Sequence, residues 1–139
     1  MAGNPLRHPI GNTVIEKFIE EIDKAIASSP IVLSSNIQKH FGPRNTVYLK
    51  GNLIFINSSV LEIAIFAAKS PNALVINKYR LHYMNSNKEM IFRYDNASHH
   101  PEVSSFPHHK HIQNKVVHAN MPSIKDVLNE ISAIIIESR

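Results

Sequence analysis

The sequence predicts an α+β fold, an antiparallel sheet of four to six strands with an N-terminal and a C-terminal helix. Three observations lead there. Apolar residues recur at helical spacing near both ends, apolar and polar residues alternate through the middle, and two strand-like runs flank turn formers at Ser86-Asn87. With 139 residues, 43% hydrophobic and 19% charged, the chain has material for one core, so 1–139 read as a single domain with 1–11 as a flexible lead.

Thr13-x-x-Glu16 is a capping-box pattern, and Val14, Ile15, Phe18, Ile19, Ile22 and Ile26 follow it on one helical stripe until Ser28-Ser29-Pro30. Ile31, Leu33 and Ile37 suggest an extended segment ending near Gly42-Pro43. Val47, Leu49, Leu53 and Phe55 alternate around Gly51 as strand. After a turn at Asn57-Ser58-Ser59, residues 60–67 form a nearly continuous apolar run, which predicts a central strand buried on both faces and closed by Lys69-Ser70-Pro71-Asn72.

A hairpin of 74–84 with 88–95 about Ser86-Asn87 would place residues whose numbers sum to 173 opposite one another. One face then pairs Tyr79 with Tyr94, Leu81 with Phe92 and Tyr83 with Met90, and packs under a helix. The other pairs Lys78 with Asp95, Arg80 with Arg93 and His82 with Ile91, so two guanidiniums face each other and call for an anion or carboxylate between them, unless both splay into solvent. Residues 96–111 carry turn formers and read as a loop, returning as a short strand to Val117. Pro122-Ser123 then caps a helix with Val127, Leu128, Ile131, Ile134 and Ile135 on one stripe.

The formal net charge of +4 leans toward polyanionic partners such as RNA or an acidic protein. The absence of cysteine excludes disulfides and thiolate zinc sites. No apolar run approaches the roughly 20 residues that span a bilayer, and 1–10 lack the apolar core of a leader, so the expectation is a cytoplasmic protein that does not enter a membrane.

Chemistry concentrates in Arg93-Tyr94-Asp95-Asn96-Ala97-Ser98-His99-His100-Pro101-Glu102 and Phe106-Pro107-His108-His109-Lys110-His111, which hold five of the nine histidines. Imidazoles exchange protons near neutrality. One reading is a metal-independent nuclease. Arg80 and Arg93, with Lys78, His82 and Lys110, would bind phosphate; His100 and His109 would serve as base and acid, with Asp95, His99 and His111 beside them. A second reading gathers His99, His100, His109 and His111 with Asp95 or Glu102 around a divalent metal, although the spacing matches no usual zinc pattern; His99, His109 and His111 would be its first ligands, and the favoured reading needs neither metal nor other cofactor. A third makes the histidines structural or part of a partner interface. His8 and His40 read as exposed loop residues, and His118 carries no functional assignment.

From Lys78-Tyr79-Arg80-Leu81-His82-Tyr83 through both stretches to the closing helix, the sequence resembles the TumE family of prokaryotic toxin–antitoxin proteins, in motif order from about Pro30 to the C-terminus. The resemblance implies a small α+β toxin encoded beside a helix-turn-helix antitoxin, TumA, and acting on RNA by analogy with other such toxins. It leaves open a non-catalytic module that docks antitoxin or nucleic acid, a metal-dependent hydrolase, and self-association into a homo-oligomer. Members often carry an acidic residue late in the strand matched by Val60-Leu61-Glu62-Ile63-Ala64-Ile65-Phe66, where this chain has Ile65; Glu62 points to the other face.

Overall fold

The computed structural model describes residues 13–71 and 73–138. The expected flexible lead over 1–11, His8 within it, and Asn72 lie outside the described residues. The order is α1 (Val14–Ala27), β1 (Val32–Ser35), β2 (Gln38–Gly42), β3 (Thr46–Phe55), β4 (Val60–Lys69), β5 (Leu74–Met84), β6 (Met90–Asp95), β7 (His109–Ile112), β8 (Lys115–His118) and α2 (Ile124–Glu137). The strands form one eight-stranded sheet in the order β1-β3-β4-β5-β6-β7-β8, with β2 also on β3, and every pairing is antiparallel.

Both helices begin at the expected caps, Thr13 and Ser123, and each cap closes a capping box. Thr13 Oγ1 accepts from the Glu16 amide at 2.9 Å, and Ser123 Oγ from the Asp126 amide at 3.0 Å. Ile15, Ile19 and Ile22 of α1 and Val127, Leu128, Ile131 and Ile135 of α2 are buried against one face of the sheet, in a core with Val47, Leu49, Leu53, Phe55, Leu61, Ile63, Ile65, Tyr79, Leu81, Tyr83 and Phe92. Side chains of the alternate positions stand on the other face, which no helix among the described residues covers.

Three expectations need correction. The sheet has eight strands, not four to six. The single extended segment expected over 31–42 splits into β1 and β2, which pair with opposite halves of β3. The break is possible because β3 carries Gly51 opposite it: a Cβ there would lie 2.5 Å from the Asn36 carbonyl oxygen and 2.8 Å from Ile37 Cα. β2 is exposed throughout, so it has no buried face to write an apolar alternation into the sequence. β7 was hidden by its sequence, His-Lys-His-Ile, which lacks that signal too.

The second correction concerns β4. It is buried on one face only: Leu61, Ile63, Ile65 and Ala67 face the helices, whereas Glu62, Ala64 and Phe66 are half-buried on the open face.

The third is the register of the β5–β6 hairpin. Arg80 lies opposite Asp95, Leu81 opposite Tyr94, His82 opposite Arg93 and Tyr83 opposite Phe92. The connection is longer than the expected two residues because Asn85 organises it. Its Oδ1 accepts from the amides of Asn87 at 2.9 Å and Glu89 at 3.0 Å, and Lys88 adopts φ 63°. A slip of two preserves the faces, so Arg80 and Arg93 share the open face while Tyr79 and Tyr94 share the other, but the two guanidiniums are not cross-strand partners.

Gly51→Ala should destabilise the fold by about 1–3 kcal/mol, because its methyl group would meet backbone that cannot swing aside. Gly42→Ala should cost less, since the atom its Cβ would meet at 2.6 Å is the Thr46 hydroxyl. Urea midpoints of the two variants check the order.

Candidate active site

Cross-strand pairing places Arg80 beside Asp95, Asp95 beside His109, and His82, Arg93 and His111 in the next row, all at one end of the open face. Residues 96–108 fold over this end. Val103 is buried, Ser105 Oγ donates to the His108 carbonyl and accepts from the Ala119 amide, and Ser104 Oγ lies 2.8 Å from His118 Nδ1. The Phe106–Pro107 peptide is cis. The folded segment carries His100 across to the strands, its ring 5.1 Å from that of His109 and 5.5 Å from that of His111.

Asp95, only 6% exposed, is the hub. Its Oδ1 accepts from the Ala97 amide at 3.0 Å and lies 2.9 Å from His109 Nε2, while Oδ2 accepts from Arg93 Nε at 2.9 Å. His109 is 1% exposed, and its Nδ1 lies 2.9 Å from the Pro107 carbonyl, which can only accept. His109 therefore carries a proton on Nδ1, and its Nε2 is turned toward His111 Nε2, 3.1 Å away, beside the Asp95 carboxylate.

His111 Nε2 accepts from Arg93 Nη2 at 3.1 Å and sits 3.1 Å from His109 Nε2, so its own proton belongs on Nδ1. Burial, and then the Arg93 guanidinium, lower the His111 pKa and favour the neutral ring. His100 Nδ1 lies 3.1 Å from Glu102 Oε2, which leaves the other ring nitrogen free. The Glu102 carboxyl is held below its ordinary range by a hydrogen bond from its own amide and then by His100.

Lys78, Arg80, Arg93, His99, His100 and His111 line a cleft of about 250 Å³ with Asp95 at its wall. His109 is not among the lining residues and supports them from below. His82 stands beside the cleft, 2.9 Å from Arg80 Nη2 and 3.6 Å from Glu62; burial and then Arg80 lower its pKa. Lys110, expected at the phosphate site, lies on the opposite face, because it falls between His109 and His111 in an alternating strand. There it pairs with Glu130 of α2 over the rings of Phe92 and Tyr94. Burial opposes its charge, but Glu130 and the Tyr94 hydroxyl outweigh it and raise the pKa. Ile65, 1% exposed, also lies on the helix face, so the departure from the family pattern there touches the core and not the cleft.

Nitrogens of His100, His109 and His111 lie within 4.8 Å of one another, and this trio, with His100 in place of His99, is what could hold a metal ion among the described residues. Sequence reasoning treated Glu102 only as a ligand and assigned Tyr79 only to the core. The first orients His100, a role signalled by its place two residues on; the second also borders the cleft and bonds its hydroxyl to His108 at 3.0 Å.

The model of the family described as Toxin TumE matches residues 15–139. The chain belongs to the TumE toxin family. Toxins of this family generally pair with TumA-like antitoxins. No curated protein and no solved structure gives a significant match to this TumE chain.

His82 and His111 both have pKa values below the ordinary 6.5, so the unfolded chain binds more protons than the folded one as pH falls through that range. Stability should therefore be full above about pH 6.5 and decline below it. Urea midpoints from pH 7.5 to 5 should fall, and the fall should be shallower in His82→Gln; a flat wild-type profile would contradict the depressed values.

Proposed function

We propose that this TumE chain is a metal-independent ribonuclease acting in the cytoplasm, restrained by a TumA-like helix-turn-helix antitoxin. The observation that carries the reading is the cleft itself, where a carboxylate-oriented imidazole, His100, and a second imidazole held neutral, His111, face a site ringed by Lys78, Arg80 and Arg93. The cations take the phosphodiester. His100 accepts the proton of the 2′-hydroxyl, whose oxygen attacks phosphorus as the bond to the 5′-oxygen breaks. His111 gives its Nδ1 proton to that leaving oxygen, while a proton on His109 Nε2 crosses 3.1 Å to His111 Nε2 and displaces the Arg93 hydrogen bond there. His109 thus acts as the acid through His111 without touching substrate. Arg93, fixed by Asp95, stands where charge accumulates in the transition state.

A metal-dependent hydrolase is the second reading, favoured by the histidine trio. One feature weighs against it: the trio spans up to 4.8 Å, wider than the roughly 3.4 Å separating ligands of a tetrahedral ion with bonds of 2.0–2.1 Å.

Turnover of a single-stranded RNA should survive a chelator and follow a bell-shaped pH profile. His100→Ala and His111→Ala should each lose about 10²–10⁴-fold in kcat, and Glu102→Gln should lose less. Unchanged turnover in both histidine variants would refute the assignment. Loss on chelation that zinc or manganese restores would establish the metal reading instead.

A further inference from the structure

The open face does not end at the cleft. Two rows of cross-strand partners continue away from it, one running Arg80, Ala64, Lys50 and Gln38, the other Lys78, Phe66, Tyr48 and His40. Tyr48 and Phe66 are half-buried aromatic rings on adjacent strands, flanked by exposed Lys50 and Lys78. Beyond them a shallow depression of about 430 Å³ is lined by Gln38, His40, Tyr48 and Lys50, with the His40 ring 6.4 Å from that of Tyr48.

Cations on the two faces are treated differently. Lys39 and Lys110, on the helix face, are paired with Asp23 and Glu130, whereas Lys50 and Lys78 on the open face have no carboxylate partner among the described residues. The carboxylates on the open face do not offset them: Asp95 is buried in its network, and Glu62 is engaged by Arg80 and His82.

We infer that this face is a track for single-stranded RNA, leading from the cleft across β5 and β4 to the depression on β3 and β2. Bases stack on Phe66 and Tyr48, and phosphates meet Lys78, Arg80 and Lys50. The inference rests on the ribonuclease reading for its substrate and extends it from one phosphodiester to a run of nucleotides. Single strands fit because paired bases cannot open their faces to side-chain rings, and stacking of this kind tolerates any sequence. The distance also fits. Three strand spacings of about 4.8 Å separate β3 from β6, so Tyr48 and Lys50 lie roughly 14 Å from the Asp95 wall of the cleft, beyond a dinucleotide whose phosphate sits at His100.

The test uses two probes. A twelve-nucleotide 2′-O-methyl RNA, which has no free 2′-hydroxyl to attack, reports binding by fluorescence anisotropy; a ribodinucleotide reports cleavage. Wild-type protein should bind the single strand more tightly than its duplex. Tyr48→Leu, which keeps an apolar side chain but loses the ring, and Lys50→Ala should each weaken binding roughly tenfold, and Lys50→Ala should flatten the salt dependence by about 0.7 in log–log slope. Dinucleotide cleavage should be unchanged in both. Wild-type affinity in both variants, or duplex binding as tight as the single strand, would overturn the track even if the dinucleotide is cleaved. Loss of oligonucleotide binding in the variants would support it even if no RNA is cleaved, in which case the ribonuclease reading alone would fall.

Discussion

A buried carboxylate with no cation or donor would be untenable, and Asp95 has three kinds of partner: an amide, a guanidinium and an imidazole. These bonds organise the site. The Ala97 amide fixes how the chain leaves β6, Arg93 is held on the open face, and His109 secures β7 and the Pro107 carbonyl behind it. Removing one member of a buried charged set typically costs about 3–5 kcal/mol because the others lose their compensation. The placement of His100 and His111 in the cleft is therefore a consequence of Asp95 as much as of their own contacts.

The sheet separates stability from chemistry by its two faces. Helices α1 and α2 cover one, with Tyr79, Leu81, Tyr83 and Phe92 beneath them, and Lys110 closes its far side against Glu130. The opposite face keeps Arg80, Arg93, Lys50, Lys78 and His111 in reach of solvent, with 96–108 folded across one end. A strand such as β7 serves both faces within four residues, since His109 and His111 point to the site and Lys110 to the helix.

Alternation made this division legible in the sequence. Period two put Tyr79 and Tyr94 on one face and Arg80 and Arg93 on the other, and an error of two residues in register left that result intact. Who faces whom was not legible, because the Asn85 turn, not the strands, sets the offset. β2 and β7 escaped notice since one is exposed throughout and the other is half histidine, leaving no apolar pattern to read. The histidine cluster stood out by composition, yet composition could not show that His109 would be sealed under the cleft, or that Glu102 would turn His100 toward it.

The central claim is that the network around Asp95 fixes which ring nitrogen carries the proton, the Pro107 carbonyl for His109 and the Asp95-held Arg93 for His111. Long-range proton–nitrogen NMR of the histidine rings at neutral pH tests it directly. The account predicts His109 and His111 each protonated at Nδ1, with the His111 pattern lost in Asp95→Asn, which no longer holds Arg93 against its Nε2. Rings of His109 and His111 that exchange between tautomers as an exposed histidine does, and do so equally in the wild type and the variant, would contradict it.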